Sequence, residues 1–127
     1  MNATIHAQLS SRRRGGTPEN WYAFHDFFDC SKEVESSNAH RIMLHSIWAI
    51  KQVIIPIFGA EIRLTGGGTA NAKDAGESDH IMADYHDIFL PSLSDYVALI
   101  RDDPSDADLV RQFDNENAAF YRDYPQV

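Results

Sequence analysis

The segment over residues 37–58 carries the strongest periodic pattern in the chain. Its apolar residues recur at intervals of three and four, which predicts a helix; they are Ile42, Met43, Ile47, Ile50, Ile54 and Ile57. Pro56 should kink or end this helix, and Gly59 is a natural terminator. Because apolar residues lie nearly all round it, the pattern indicates the central and most buried helix of the fold.

Helices are also predicted before this segment. Residues 3–14 read as the first helix, because the three arginines at 12–14 would occupy its last turn and Gly15-Gly16 would stop it. The alternative interpretation of these arginines is an anion-binding cluster. Thr17-Pro18-Glu19 then predicts the start of a second helix, which carries an aromatic stripe and fades near residues 31–32.

The rest of the chain is predicted in shorter pieces. Residues 60–64 suggest a short strand, and residues 65–78 suggest a flexible loop because they are rich in Gly and small polar residues. A short helix or turn is expected at 79–85, and further helices are expected at 91–100 and 106–123. The predicted fold is mainly α: a single compact domain over 1–127, with five to six helices around the central one, at most a minor β-hairpin, and residues 102–127 as a C-terminal helical extension.

Length and charge restrict the class of protein. A chain of 127 residues suffices for one domain that buries about two-thirds of its unfolded surface without staples. The formal net charge is −8, and no basic stripe offsets it, so we expect no nucleic-acid partner. The acidic excess suits solubility or a basic protein partner.

Cysteine usage and hydropathy point to the cytoplasm. Cys30 is the only cysteine, so the chain has no internal disulfide and no cysteine-based zinc cluster. The N-terminus lacks the basic and apolar regions of a signal peptide. The longest apolar stretch, 47–58, is interrupted and too short to span a bilayer, so we expect no membrane partner. If the chain forms a homodimer, the aromatic helix over 18–30 is the expected interface.

Histidine placement is the best pointer to a functional site. The chain has six histidines, and His25 and His80 are each followed four residues later by an aspartate. A four-residue step returns to within roughly 40° on a helix, so each pair can face one spot. We predict His25, His80 and Asp84 as metal ligands, with His86 and Asp87 as further candidates. A mixed nitrogen and oxygen site suits zinc, manganese or iron. The alternative reading is helical surface pairing.

The other polar residues receive roles around this ion. His40 and His45 lie five residues apart, about 140° around one helix, so at most one is expected to ligate a given ion. Asp29 would orient His25 or act as a general base, and His40 or Arg13 would stabilise developing negative charge. The leading functional hypothesis is a metal-dependent hydrolase acting on a small-molecule substrate that the sequence does not identify.

These residues together resemble a small bacterial and phage family of unknown function. The resemblance covers residues 5–97 and rests on the order and spacing of the following residues: His6-Ala7 with Ser10 and Arg13, Gly15-Gly16, Pro18-Glu19, His25, Phe28-Asp29 with Ser31-Lys32, His40-Arg41 with His45, Phe58-Gly59, Asp79-His80 with Asp84, and Pro91 with Asp95-Tyr96. It implies a shared site of His, Asp, Ser, Arg and Lys side chains, and no established activity. Where that family has a short Val/Arg-rich strand before the His80 position, this chain is rich in Gly, Ala, Lys and Asp.

A hypothesis of another class follows from the acidic charge. A compact acidic protein of phage or mobile-element origin would inhibit a host immunity factor without catalysis, by presenting carboxylates to a basic groove. The acidic region over 102–123 motivates this alternative. The two hypotheses differ in whether the histidines are needed, and therefore in whether their side chains converge in the folded chain.

Overall fold

The structure, a computed structural model, describes residues 1–35, 40–87 and 89–102, with the backbone alone described for 99–102. Two compact units divide the chain, Met1–Leu93 and Ser94–Val127, and each is described by itself. The described residues are mainly helical and include a two-stranded antiparallel sheet, which confirms the predicted fold class. Nothing tests whether 1–127 behaves as one domain, so that remains a prediction.

The first two helices form as predicted. Helix α1 spans Ala3–Arg14, begins at an Asn2 cap and ends at Gly15, whose φ of +100° suits glycine alone among common residues. Helix α2 spans Pro18–Phe28 and begins at a capping box between Thr17 and Asn20. After α2 the chain makes a short 3₁₀ turn, Cys30–Glu33, where the sequence predicts the helix to fade.

The predicted long helix over 37–58 is broken in the structure. Its described part consists of α3 (Arg41–Leu44), α4 (Ile47–Ala49), a π-helical turn (Ile50–Ile54) and α5 (Ile55–Phe58). The break falls at His45 and Ser46, because Ser46 is extended and its side chain accepts a hydrogen bond from the backbone N–H of Ala49 at 3.2 Å. Ser46 therefore ends one helix and caps the next, as serine does at helix starts.

The segment was predicted to be the most buried helix, and only part of it is buried. Ile50 and Ile54 are fully buried, whereas Met43, Trp48 and Ile57 are each more than half exposed. Helix breaks rotate successive turns relative to one another, so some of the apolar residues face the core and others face solvent. The fold is built around α2 as much as around this segment.

The prediction of a flexible loop over 65–78 is also wrong for most of its length, because residues 69–78 form a strand and helical turns. Strand β1 (Glu61–Arg63) pairs antiparallel with β2 (Thr69–Asn71), which confirms the minor hairpin. The chain then enters α6 (Ala72–Asp74) directly, because the Asn71 side chain caps it by accepting from the backbone N–H of Asp74 at 2.9 Å. A π-helical segment, Ala75–Met82, continues from α6.

Aromatic residues of α2 form the centre of the core. Trp21, Phe24 and Phe28 are buried and meet edge to face along α2. They pack in one hydrophobic cluster with Ile50 and Ile54 and with residues of the hairpin and the π-helical segment. The core therefore holds α2 against the segment Ala75–Met82.

Helix α7 spans Leu93–Asp102, close to the helix predicted over 91–100. The helix predicted over 106–123 and most of the predicted extension over 102–127 lie outside the described residues. In the part of the chain that the structure describes, every helix is too short or too polar to cross a lipid bilayer.

Gly76 provides a test of how closely the π-helical segment approaches the core. A Cβ at this position would lie 3.0 Å from Phe28 Cζ and 3.3 Å from Ile50 Cδ1. Glycine to alanine in a helix normally raises stability by about 0.4–1 kcal/mol. We expect Gly76→Ala instead to lower the free energy of unfolding by about 1–3 kcal/mol, because the core is overpacked. Urea denaturation measures this, and a stabilised variant would contradict the packing.

Candidate metal centre

Histidine and aspartate side chains converge inside the unit Met1–Leu93. They come from α1, α2, the segments around α3 and the π-helical segment, and they are fully or almost fully buried. The buried polar set consists of His6, Ser10, His25, Asp29, His40, His45, Asp79 and His80, with the Asp84 side chain 2% exposed. Such a concentration of buried titratable groups marks a functional site more often than a structural core.

Four of these residues form a compact ligand set. Asp29, His45, His80 and Asp84 each offer one ligand atom within 4.8 Å of the others. His45 Nε2 lies 3.4 Å from Asp29 Oδ1 and 3.0 Å from Asp84 Oδ2, and His80 Nε2 lies 3.5 Å from Asp29 Oδ2 and from Asp84 Oδ2. Metal bonds of about 2.0–2.2 Å place tetrahedral ligand atoms roughly 3.3–3.6 Å apart, so these spacings suit one small cation.

Local backbone geometry brings the four together. The break at His45 turns its imidazole toward the set, and His40, at the start of α3, places its Nε2 3.2 Å from Asp29 Oδ1. His80 lies in the π-helical segment, a geometry that occurs frequently at functional sites. The expectation that His40 and His45 diverge assumed one continuous helix, and the break removes that constraint.

Asp79, the residue before His80, is the centre of a separate hydrogen-bond network whose donors do not include the four-residue set. Its carboxylate accepts hydrogen bonds from Arg14 Nε at 2.6 Å, from Ser10 Oγ at 2.8 Å and from Arg13 Nη1 at 3.0 Å. Burial alone would raise the pKa of Asp79, but these hydrogen bonds outweigh it and hold the pKa below its usual value. Asp79 is therefore an ionised, acceptor-only group in the interior.

Hydrogen-bond polarity runs in one direction from Asp79 to His80. Since Ser10 donates its only proton to Asp79, its oxygen must accept from His25 Nε2, 2.7 Å away. A neutral His25 then has a lone pair on Nδ1, which accepts from His80 Nδ1 at 2.9 Å. A neutral His80 consequently carries its lone pair on Nε2, and that nitrogen faces the Asp29 and Asp84 carboxylates.

Burial keeps both rings neutral. It lowers the pKa of His25 to about 2, with help from the neighbouring His80 and His6, and lowers the pKa of His80 to about 3. Burial raises the pKa of Asp29 and of Asp84, but hydrogen bonding to His45 is the largest of the contacts that outweigh it, and both pKa values lie well below the usual range. Neutral imidazoles and ionised carboxylates are the forms that bind metals.

Aromatic stacking fixes the His80 ring. Its centroid lies 3.9 Å from that of His6 and 4.5 Å from that of Phe28, with interplanar angles of 21° and 20°. Since two parallel rings cannot overlap, His6 and Phe28 occupy opposite faces of His80. The ring can therefore neither tilt nor turn without displacing one of them.

A second group, His6, His25 and His80, also has nitrogens within 4.8 Å of one another. Ring orientation argues against it as a ligand set. His6 stacks on His80 with a centroid distance of 3.9 Å, so the lone pairs of the two rings lie in separate, nearly parallel planes and do not point at one ion. His6 Nδ1 instead donates to the backbone oxygen of Asp79 at 2.6 Å, and the His25 and His80 rings are joined by their hydrogen bond.

The structure brings together most of the residues predicted from sequence. Of the three predicted ligands, His80 and Asp84 lie in the four-residue set, and His25 lies one hydrogen bond behind His80. Asp29, predicted to orient His25, lies in the ligand set itself.

The remaining predicted residues lie outside the ligand set. His40 Nε2 lies 3.2 Å from Asp29 Oδ1, and its charge-stabilising role stays a prediction. Arg13 is paired with Asp79, on the far side of Ser10 and His25. His86 and Asp87 are exposed.

The sequence allowed at most one of His40 and His45 as a ligand without choosing His45, and it did not predict the contact between Ser10 and Asp79. Ser46 was the available signal for His45, because serine inside a helical pattern suggests a cap and therefore a break. For Ser10 the signal was its spacing in α1, where His6, Ala7 and Ser10 share the buried face.

The family model of a domain of unknown function, DUF6915, matches residues 1–105. The chain belongs to the DUF6915 family. All residues of the buried polar set lie within the matched range, so the candidate centre is part of the DUF6915 domain. The predicted membership of an uncharacterised family is confirmed, whereas its bacterial or phage origin and the exact residue pattern remain predictions. No curated protein and no solved structure is significantly similar to this chain.

Two arginines in the last turn of α1, Arg12 and Arg14, give a matched test of the contact with Asp79. Arg14 donates two hydrogen bonds to the buried Asp79 carboxylate, whereas Arg12 is exposed. We expect Arg14→Met to lower the free energy of unfolding by about 1–3 kcal/mol, since hydrogen bonds to a charged group are lost. Arg12→Met should change it by less than about 0.5 kcal/mol. Equal effects in chemical denaturation would show that Asp79 does not depend on Arg14.

Proposed function

We propose that this DUF6915 domain binds one divalent metal ion through Asp29, His45, His80 and Asp84. The observation that supports the proposal most directly is the orientation of His80 Nε2. This buried lone pair and Asp29 Oδ2 have no hydrogen-bond partner among the described residues, and they lie 3.5 Å apart. Two acceptors facing each other repel unless a cation lies between them, and a buried unsatisfied pair is costly in a folded protein.

Charge balance supports the same proposal. Asp29 and Asp84 are buried, ionised and within 4.8 Å of each other. Arg13 and Arg14 neutralise Asp79 instead, so they do not compensate this pair. Lys32 approaches Asp29 only to 3.9 Å and is 44% exposed, whereas the N-terminal ammonium of Met1 lies 3.1 Å from Asp84 Oδ1. One ammonium leaves one of the two buried negative charges without close compensation, and a divalent cation would neutralise both.

Ligand chemistry narrows the identity of the ion. Two imidazole nitrogens and two carboxylate oxygens suit zinc, manganese or iron, whereas calcium prefers six to eight oxygens. His40 Nε2 lies 3.2 Å from Asp29 Oδ1 and would hold that carboxylate in place, as partners behind the ligands do in metal sites. Cys30 is free and exposed, which suits a reducing compartment, and we place the domain in the cytosol.

Metal binding is tested with protein purified without a histidine tag. After treatment with chelator, we expect the chain to bind one Zn²⁺ or Mn²⁺ and to gain about 2.7 kcal/mol of stability at an ion concentration 100 times the dissociation constant. Asp84→Asn and His80→Gln should abolish the gain. Asp87→Asn and His86→Gln, which change exposed residues close by, serve as matched controls and should retain it.

Elemental analysis and thermal denaturation measure these outcomes. Substoichiometric metal together with an unchanged melting temperature on addition of Zn²⁺, Mn²⁺ or Fe²⁺ would refute the metal centre. Loss of the gain in the His86 and Asp87 controls as well would place the ion elsewhere on the chain.

Metal-dependent hydrolysis is the activity that we propose for this centre. A divalent ion held by Asp29, His45, His80 and Asp84 would polarise a carbonyl or phosphoryl oxygen and make water more acidic, if it accepts that oxygen in addition to the four protein ligands. Since Asp29 belongs to the ligand set, His40 is the residue of this chain best placed to exchange a proton beside the ion, and it contacts Asp29 directly. Arg13 does not fill the charge-stabilising role, because Asp79 already engages it.

Hydrolysis is measured with a simple ester such as p-nitrophenyl phosphate. We expect the metal-loaded protein to hydrolyse it and the metal-free protein not to, and His40→Gln to lower kcat by about 10²–10⁴-fold without releasing the metal. A stoichiometrically loaded protein that cleaves neither phosphate nor carboxylate esters would leave the domain as a metal-binding protein and contradict the hydrolase assignment.

A second proposal, a non-catalytic acidic inhibitor of a host factor, draws on the net charge of −8. Asp29, Asp79 and Asp84 are buried and do not contribute to a surface for a basic groove. If this proposal holds, association with the partner weakens steeply with salt, and a variant carrying both His25→Ala and His80→Ala keeps full biological effect.

A further inference from the structure

His80 adopts the tautomer that its immediate surroundings disfavour. A neutral imidazole beside two ionised carboxylates is most stable when its N–H points toward them, because that N–H then donates a charge-assisted hydrogen bond. The His80 proton lies instead on Nδ1, since that nitrogen is 2.9 Å from the acceptor nitrogen of His25. The unprotonated Nε2 faces Asp29 and Asp84 at 3.5 Å.

The cause of this tautomer lies on the other side of the ring. Asp79 can only accept, so Ser10 donates to it and accepts from His25, and His25 in turn accepts from His80. Every donor in this chain of hydrogen bonds is determined by the acceptor-only carboxylate at its end. Ser10, His25 and Asp79 are all completely buried, so bulk solvent does not compete for these hydrogen bonds.

The same polarity excludes a reading of Ser10, His25 and Asp79 as a nucleophilic triad. A catalytic serine gives its proton to the histidine, and the aspartate contacts the histidine rather than the serine. Here the serine donates to the aspartate and accepts from the histidine. Ser10 therefore has no histidine base that could activate it as in such a triad.

We infer that Ser10 and His25 are positioning residues: they hold His80 in its Nδ1–H tautomer, so that its Nε2 is preorganised for the cation at some cost to the metal-free protein. This inference rests on the proposed metal site and explains why so polar an array is buried behind one ligand. Partners behind a ligating histidine typically change metal affinity by 10–100-fold. Stability given up to preorganise a site is a common trade-off in functional centres.

Two variants of His25 separate this role from ordinary packing. His25→Phe keeps an aromatic ring but removes the acceptor, which lets His80 turn its N–H toward Asp29 and Asp84. His25→Asn is smaller, but its amide oxygen can still accept from His80 Nδ1. If His25 only filled space, the phenylalanine variant would be the better substitute, whereas the positioning role makes asparagine the better one.

The experiment measures Zn²⁺ affinity by competition with a chromophoric chelator, and the ¹⁵N shifts of the His80 ring in metal-free protein. We expect His25→Phe to weaken Zn²⁺ binding 10–100-fold and to move the His80 proton to Nε2, with a metal-free melting temperature no lower than that of the wild type. His25→Asn should keep the proton on Nδ1 and weaken binding less than His25→Phe. Ser10→Ala, which removes only one hydroxyl, should weaken binding in the same direction as His25→Phe.

Each result bears on a different claim. A proton on His80 Nε2 in the metal-free wild type, or equal affinity losses in His25→Phe and His25→Asn, would overturn the positioning role. If His25→Phe fails to fold, Ser10→Ala and the wild-type spectrum decide the question alone. A wild-type protein with the proton on Nδ1 that binds no Zn²⁺ or Mn²⁺ would refute the proposed metal centre while confirming the tautomer.

Discussion

The buried carboxylate of Asp79 connects α1 to the π-helical segment, and the candidate centre depends on that connection. Arg13, Arg14 and Ser10 reach it from α1, while the residue after it is His80. A lone ionised carboxylate would be too costly to bury, so its partners must fold with it. The ion pair between Asp79 and the arginines of α1 therefore helps to determine the position and the ring tautomer of His80. Its influence reaches the proposed ligands through the hydrogen bonds of Ser10 and His25.

The buried polar set therefore has two sides that differ in whether their carboxylates are matched by hydrogen-bond donors. On the side of Asp79, arginines and a serine satisfy the charge, and every contact in that network has a donor and an acceptor. On the side of Asp29 and Asp84, carboxylates meet a neutral imidazole without a proton between them. His80 separates the halves, held by rings on both faces. The contrast explains why the single Asp79 carboxylate is structural, whereas the Asp29 and Asp84 pair suits a ligand of opposite charge.

The sequence predicted the helices that begin and end at strong local signals. Asn2, the Thr17-Pro18 start and Gly15 determine α1 and α2 through capping and glycine geometry, which act within a few residues. The break at His45 and the helix that follows Asn71 also have capping residues, Ser46 and Asn71, but the apolar period and the Gly-rich composition pointed the other way. Local chemistry was the better guide in both places.

The part of the site that depends on local spacing could be predicted from the sequence, and the part that depends on tertiary contacts could not. His80 and Asp84 could be paired because their spacing is local. Asp29 and His45 join them only through tertiary contacts, and the role of Ser10 depends on a carboxylate 69 positions away in the chain. Hydrogen-bond direction, which distinguishes a ligand from its support, is a property of the folded network and has no counterpart in residue spacing.

The π-helical geometry of Ala75–Met82 has a consequence for how this domain tolerates changes in length. A wider helical turn contains one residue more than an α-turn, and removing a residue would rotate everything beyond it by about 100°. Asp79 and His80 would then no longer face the arginines and the carboxylates at the same time. Single deletions here should therefore be far more damaging than deletions in the Gly66–Gly68 turn, where a Cβ on any of the three glycines would meet no described atom within 4 Å.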